Sequence, residues 1–396
     1  MNAFLIKLGK VWALLRRDGI VQGSRRILAS IPMFFHRAGS GEVLFIASGV
    51  GDSARYRCHH IAESLRLRGF RVAVTPQDTP YLSRFAGKFS VFVFHRTSWT
   101  PTIAAFVDRL KTLKKTVIFD TDDLVFDEVL FKQTAAYGAM NALERRQYAH
   151  GVGAEFLNDS SVGALTTSTE FLAKRLCVFG KPVFVLPNRL NREDVERADE
   201  ILASNPKKHR ERSESLNEVS IGYFSGSTGH DRDFMVVVPV LKRLLDEFSH
   251  LRLFIGGPLV LPDTLDAYFA RIDRVSFVPR AENFKNIARV DINIAPLEIG
   301  DPFCEAKSEL KFFEAGIVSV STVASATGTF RKAISDGVDG FVAKDEQGWY
   351  ERLVELICDE RLRKRLVEKA RETAVQKYTT DTVIDTEYDN FLRARL

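Results

Sequence analysis

Five polar residues stand at the ends of two apolar runs in the first half of the chain. His95 and Arg96 close VFVFHR, while Asp120, Asp122 and Asp123 close TVIFDTD and the residue after it. Carboxylates so placed can orient a hydroxyl or take its proton. The D-x-D-D spacing also suits a metal, and Asp123 alone suits a helix cap. A second group lies in PFCEAKSELKFFEAG, residues 302–316. On one helix opening after Pro302, Lys307, Lys311 and Glu314 fall at i, i+4 and i+7 and form a charged stripe. Ala306, Leu310, Phe313 and Ile317 form an apolar stripe about 100° around the axis. Read plainly, the charged stripe is a solvated face with one Lys–Glu pair, worth about 0.2–0.5 kcal/mol. A third group is SGVGDSARYR after the first apolar run, where Gly49-x-Gly51-x-x-Ala54 satisfies a dinucleotide fingerprint. A nicotinamide dinucleotide's ribose needs an acid near the end of the second run, where Thr75 and Pro76 stand instead; the next acid in RVAVTPQDT, Asp78, comes late. The turn remains a place where backbone N–H groups meet a ligand, with Gly49, Gly51, Arg55 and Arg96 as cleft-lining candidates on the acceptor side.

These residues need strands to carry them. VLFIAS (43–48), RVAVTP (71–76), VFVFHR (91–96), TVIFDTD (116–122), GALTTS (163–168) and VFVLPN (183–188) are short β-rich runs separated by helical patterns. The alternation restarts at SIGYFSG (220–226), LRLFIGG (251–257), VSFVPR (275–280), DINIAPL (291–297), VSVSTVAS (318–325) and GFVAK (340–344). It predicts an α/β protein with two doubly wound parallel-sheet domains facing across a cleft, ligands lying beyond the carboxyl ends of the strands. The expected segments are 1–40, a basic amphipathic lead; 41–190, the first domain; 191–218, a charged linker; 219–378, the second domain; and 379–396, a helix packing back on the first.

With 396 residues, 45% hydrophobic and 27% charged, the chain reads as soluble and globular. The four cysteines are scattered, which indicates neither a disulfide framework nor a zinc site. No signal peptide and no membrane-spanning run is recognisable, so a cytoplasmic location is expected. Residues 1–40 carry seven Lys or Arg against Asp18 alone, so the net charge of +5 is an N-terminal property. Phe4, Leu5, Leu8, Val11, Trp12 and Leu15 share a helical face. That segment suits an anionic membrane surface, packing on the first domain, or a tail with no partner. Nucleic acid is not expected, because no aromatic–basic platform accompanies the charge.

Residues 305–345, EAKSELKFFEAGIVSVSTVASATGTFRKAISDGVDGFVAKD, resemble the nucleotide-binding domain of GT-B-fold, family 4 (group 1) glycosyltransferases of the bacterial surface-polysaccharide type. IFDTDDLVFD and VLPNRLN add a weaker likeness in the first half. The resemblance implies two Rossmann-like domains and a retaining transfer of a sugar from a nucleoside diphosphate donor to a glycan or lipid-linked acceptor. It implies no metal and no cofactor, the nucleotide sugar being a substrate. It places Glu314 on the donor's ribose hydroxyls. The partner glutamate of the family's Glu-x7-Glu pair, expected eight residues before it, falls on Ala306, one residue after Glu305. In the Gly-Arg…Lys loop of that family, Ser227 stands for the arginine and Arg232 for the lysine, with Lys307 and Lys311 available to the diphosphate. Gly226, Ser227, Thr228 and His230 would line the phosphates, Val278 and Arg280 would flank the base, and Thr327 and Gly328 would lie over sugar or phosphate. Asp122, Asp120, His95, Lys311 and Arg232 are the catalytic candidates. Two other functions fit the same architecture: a sugar-nucleotide 2-epimerase and a non-catalytic nucleotide-sugar-binding subunit.

Overall fold

The computed structural model describes residues 38–49, 51–138, 140–204, 218–226, 231–278 and 280–396, with Ser24. The basic lead therefore lies outside the described residues, as do Ser227, Thr228 and His230. The chain divides into two compact units, one running to Asn188 and resuming over Ile384–Leu396, the other Arg189–Val383.

The first unit is built on a six-stranded sheet of β1 (Val43–Ala47), β2 (Val72–Pro76), β3 (Val91–His95), β4 (Thr116–Thr121), β5 (Val162–Thr167) and β6 (Val183–Val185). The order is β2-β1-β3-β4-β5-β6, every pair parallel. Strands such as VLFIA are buried throughout, as expected where helices cover both faces. The order reverses between β1 and β3, so the loops after these two strands diverge and leave room for a ligand. The last helix, Thr386–Arg393, sends Tyr388 and Leu392 into the core formed by Val43, Phe45, Val91 and Ile118. Arg68 holds Asp389 at 2.6 Å, and Arg393 returns a bond to the Arg68 carbonyl.

The second sheet comprises β7 (Val219–Phe224), β8 (Leu251–Gly256), β9 (Ile272–Val275), β10 (Ile292–Ala295), β11 (Ser321–Ser325) and β12 (Phe341–Ala343). Its order, β12-β11-β10-β7-β8-β9, places the reversal between β7 and β10. The helix Arg192–Ala203 occupies part of the stretch read as a linker and buries Asp194, Ala198 and Ile201.

Two sequence expectations fail here for identifiable reasons. Residues 275–280 are not a strand: β9 ends at Val275, which pairs with Gly256, the last residue of β8. The ladder stops where its neighbour stops, so Val278 lies beyond the sheet and Arg280 opens the helix Arg280–Ile287. Nor is 302–317 one helix. Pro302–Glu305 is a single turn capped by Asp301, and a second helix begins at Leu310. Between them the Glu305 carboxylate accepts from the Gly300 amide, in the loop just before it, and from the distant Gly328 amide, bonds that compete with helix continuation. Ala306 is buried in this turn, and Lys307 is not helical. The four-residue spacing of Lys307 and Lys311 therefore does not place them on one helix face, whereas Lys311 and Glu314 do share a helix.

Gly257 follows β8 with φ +93°, and a Cβ there would come within 2.0 Å of the Ser225 carbonyl oxygen. Gly226, two residues beyond β7, has open space around it. Gly257→Ala is expected to cost about 2 kcal/mol or more, through backbone strain and displacement of the β7 loop. Gly226→Ala is expected to stay within about 0.5 kcal/mol of the parent. Urea melts of both variants check this; equal midpoints would contradict the close approach.

Candidate functional site

In the first unit, three strand ends deliver a closed network of polar groups. His95 ends β3 and is fully buried; its Nδ1–H donates to Asp120 Oδ1 at 2.7 Å, since a carboxylate only accepts. Its Nε2 lies 2.9 Å from Ser53 Oγ, and the Ser53 hydroxyl donates to Asp122 Oδ2 at 2.7 Å. Asp120 is gripped on both oxygens by Arg57, with Nη2 at 2.6 Å and Nε at 3.2 Å, and also accepts from Thr166. Arg57 is itself fully buried, within a π-helical turn (Arg55–His60) that follows β1. Its remaining nitrogen donates to the Leu186 carbonyl and to Asn188 Oδ1.

Burial alone would raise the Asp120 carboxyl, yet the Arg57 guanidinium and His95 outweigh it and hold the group well below the usual carboxylate range. Asp122 behaves likewise: burial opposes ionisation, and Arg96, His95 and Arg57 prevail. Arg96 reaches Asp122 at 3.3 Å from a left-handed backbone, φ 45°, an unfavourable conformation for a non-glycine residue. Asp122 keeps 14% of its side chain exposed and Arg96 27%, so the network meets solvent at this pair. Asp123 caps the short turn Leu124–Phe126. Gly49 and Gly51 have open space where a Cβ would stand, so neither is required by a close approach, and Arg55 is an exposed partner of Asp52. Sequence reasoning missed Ser53 and Arg57. Both lie within the quoted SGVGDSARYR, but their partners are 42 to 131 residues away.

In the second unit, Lys311 Nζ donates to the carbonyl of Phe224, the last residue of β7, and sits 4.8 Å from the centre of the Tyr223 ring. Burial lowers its pKa, and Glu314 and Asp233 only partly offset this. Lys311 is therefore not a solvated lysine; it stands at the strand end that leads into the Ser225–Gly226 loop. Glu314, one turn along the same helix, accepts from Arg280 Nη1 at 2.5 Å. Arg232 is a surface residue, 76% exposed, paired with Glu298 at 2.8 Å. Thr327 caps the helix Gly328–Ala333, and the Gly328 amide donates to Glu305 at 2.9 Å. The structure thus brings Lys311, Glu314 and Arg280 together, gives the Gly328 amide to Glu305, and leaves Arg232 on the surface.

Asp120→Asn removes the charge that compensates Arg57, and a buried ion left without its partner costs about 3–5 kcal/mol. The folded pKa of Asp120 is depressed, so its contribution is present above the unfolded value, about 3.9, and fades as pH falls below it. Denaturation from pH 7 to pH 3 should show the wild type only beginning to lose this margin below about pH 4, most of the loss lying at still lower pH, and the Asn variant a flatter profile. A variant within about 1 kcal/mol of wild type at pH 7 would contradict the pairing.

No protein-family model matches the chain, and no curated protein matches it. Solved structures do. The Anabaena protein HepE in complex with UDP and glucose is 12% identical, with 89% of this chain and 100% of that one covered and a TM-score of 0.59. A glycosyltransferase of Rickettsia africae is 12% identical over 90% of this chain and 99% of its own, with a TM-score of 0.59. Sucrose-phosphate synthase of Thermosynechococcus elongatus is 12% identical over 89% and 98%, at 0.55. The chain therefore has the GT-B fold, two Rossmann-like α/β domains, that these glycosyltransferases share.

Proposed function

We propose that the protein is a retaining glycosyltransferase that moves a sugar from a nucleoside diphosphate sugar to a glycan or lipid-linked acceptor, in bacterial surface-polysaccharide synthesis. The observation that carries this reading is the pair Lys311 and Glu314. Three residues apart on one helix, they set an ammonium at the carboxyl end of β7 beside a carboxylate about one turn further along. That is the order of charges needed by a ligand with phosphates at one end and a ribose diol at the other. The carboxylate accepts the two hydroxyl protons as charge-assisted bonds. As the bond from the anomeric carbon to the β-phosphate oxygen breaks, its electron pair leaves on the diphosphate. A fixed cation there stabilises the charge as it develops. For retention, the acceptor oxygen bonds to the anomeric carbon on the face the diphosphate leaves, and its proton passes to a base. Asp122 is the carboxylate assigned that role, being partly exposed and oriented by Ser53 and Arg96. Asp120 and His95 are buried and act by holding this arrangement. The UDP and UDP-glucose bound by the Anabaena protein make uridine nucleotides the first donors to try.

Incubation with labelled UDP-, GDP- and ADP-sugars tests the reading. Transfer or slow donor hydrolysis supports it, a changed sugar configuration would make the protein an epimerase, and binding without turnover would make it a non-catalytic subunit. Glu314→Ala is expected to fold and to lose donor affinity by about 1.5–3 kcal/mol, one charged hydrogen bond; wild-type affinity in that variant would contradict its role on the ribose.

No helix among the described residues is long and apolar enough to cross a membrane. Within the same proposal, the basic segment 1–40 brings the enzyme to an anionic bilayer, where lipid-linked acceptors reside. Removing it should abolish flotation with phosphatidylserine vesicles, and added salt should mimic the removal. Unchanged flotation would assign that segment to packing.

A further inference from the structure

Arg280 joins three helices that the sequence separates. Its guanidinium, 7% exposed, places Nε and Nη2 on the two oxygens of Asp194 at 3.1 and 3.2 Å and Nη1 on Glu314 at 2.5 Å. The Phe284 ring lies 4.7 Å beneath it. Asp194 is held in turn: it is the third residue of Arg192–Ala203 and exchanges bonds with Asn191 in a capping box. Every degree of freedom of the guanidinium plane is thereby fixed before it meets Glu314. The planar fork is what permits this, since two nitrogens clamp one carboxylate while a third points elsewhere.

We propose that Arg280 is a positioning residue for nucleoside recognition: clamped by Asp194, it fixes the orientation of the Glu314 carboxylate and so sets the preference for an intact ribose diol. The inference rests on the reading of Glu314 as the ribose acceptor. It assigns Arg280 an action through Glu314, in place of the contact with the base that its sequence position suggested. A carboxylate held in one rotamer loses little freedom when the diol arrives, and two hydroxyls can be met at once only from one orientation. Arg280 therefore governs a discrimination between nucleotides through a residue it orients.

The test is calorimetric titration of the full chain with UDP and with 2′,3′-dideoxy-UDP, with the guanosine pair run in parallel. Wild type, Arg280→Met, Arg280→Lys and Asp194→Asn are compared, and the thermal midpoint of each is recorded. The wild type is expected to prefer the ribose form at least tenfold. Arg280→Met should cut that preference at least fivefold, Arg280→Lys should not restore it, and Asp194→Asn should lower it while leaving Arg280 beside Glu314. If Arg280→Met does not fold, Arg280→Lys and Asp194→Asn carry the measurement. A wild type without preference for the diol overturns the role of Glu314, and this inference with it. A wild type with the preference and folded variants that keep it, whatever their midpoints, overturns this inference alone and leaves Arg280 a tie between helices.

Discussion

A guanidinium cannot shed its proton, so wherever one is buried the fold must bring carboxylates and carbonyls to it. Both units are organised by that constraint. In the first, Arg57 draws Asp120 from the end of β4, the Leu186 carbonyl and the Asn188 side chain onto one group, and Asp120 then fixes His95. In the second, Arg280 draws Asp194 and Glu314 from two helices. Each arginine satisfies its own burial and, in doing so, presents a carboxylate or its neighbour in one orientation. Asp122 and Glu314 are the groups so presented.

The parallel sheets make this possible. Their central strands are mostly apolar and bonded on both sides, and the charged groups of the candidate sites gather where the ladders end. His95 and Asp120 mark such ends in the first sheet, and in the second Lys311 reaches the Phe224 carbonyl, at the end of β7. The reversals of strand order, between β1 and β3 and between β7 and β10, open the same edges.

The strand-and-helix alternation was legible because each apolar run carries its own signal. The site was legible only where chemistry sits at a run's end, as with His95 and Asp120, or where a resemblance picks out a residue, as with Glu314. Arg57 carried no such signal, because its partners are 63 and 131 residues away. Asp194 looked like surface charge for the same reason. The helix read through 302–317 failed at Glu305, whose carboxylate is taken by the Gly300 amide just before it and by the Gly328 amide of another segment. Periodicity reports the bonds a helix makes with itself and is silent about those a side chain makes with distant backbone.

The central claim is that the second unit binds a nucleotide by its phosphates at Lys311 and by its ribose at Glu314. Titration of wild type and Lys311→Met with UDP and with uridine tests it most directly. The account predicts that the substitution weakens UDP binding at least tenfold and changes uridine binding by less than twofold. Equal losses for both ligands, or no loss for either, would contradict it.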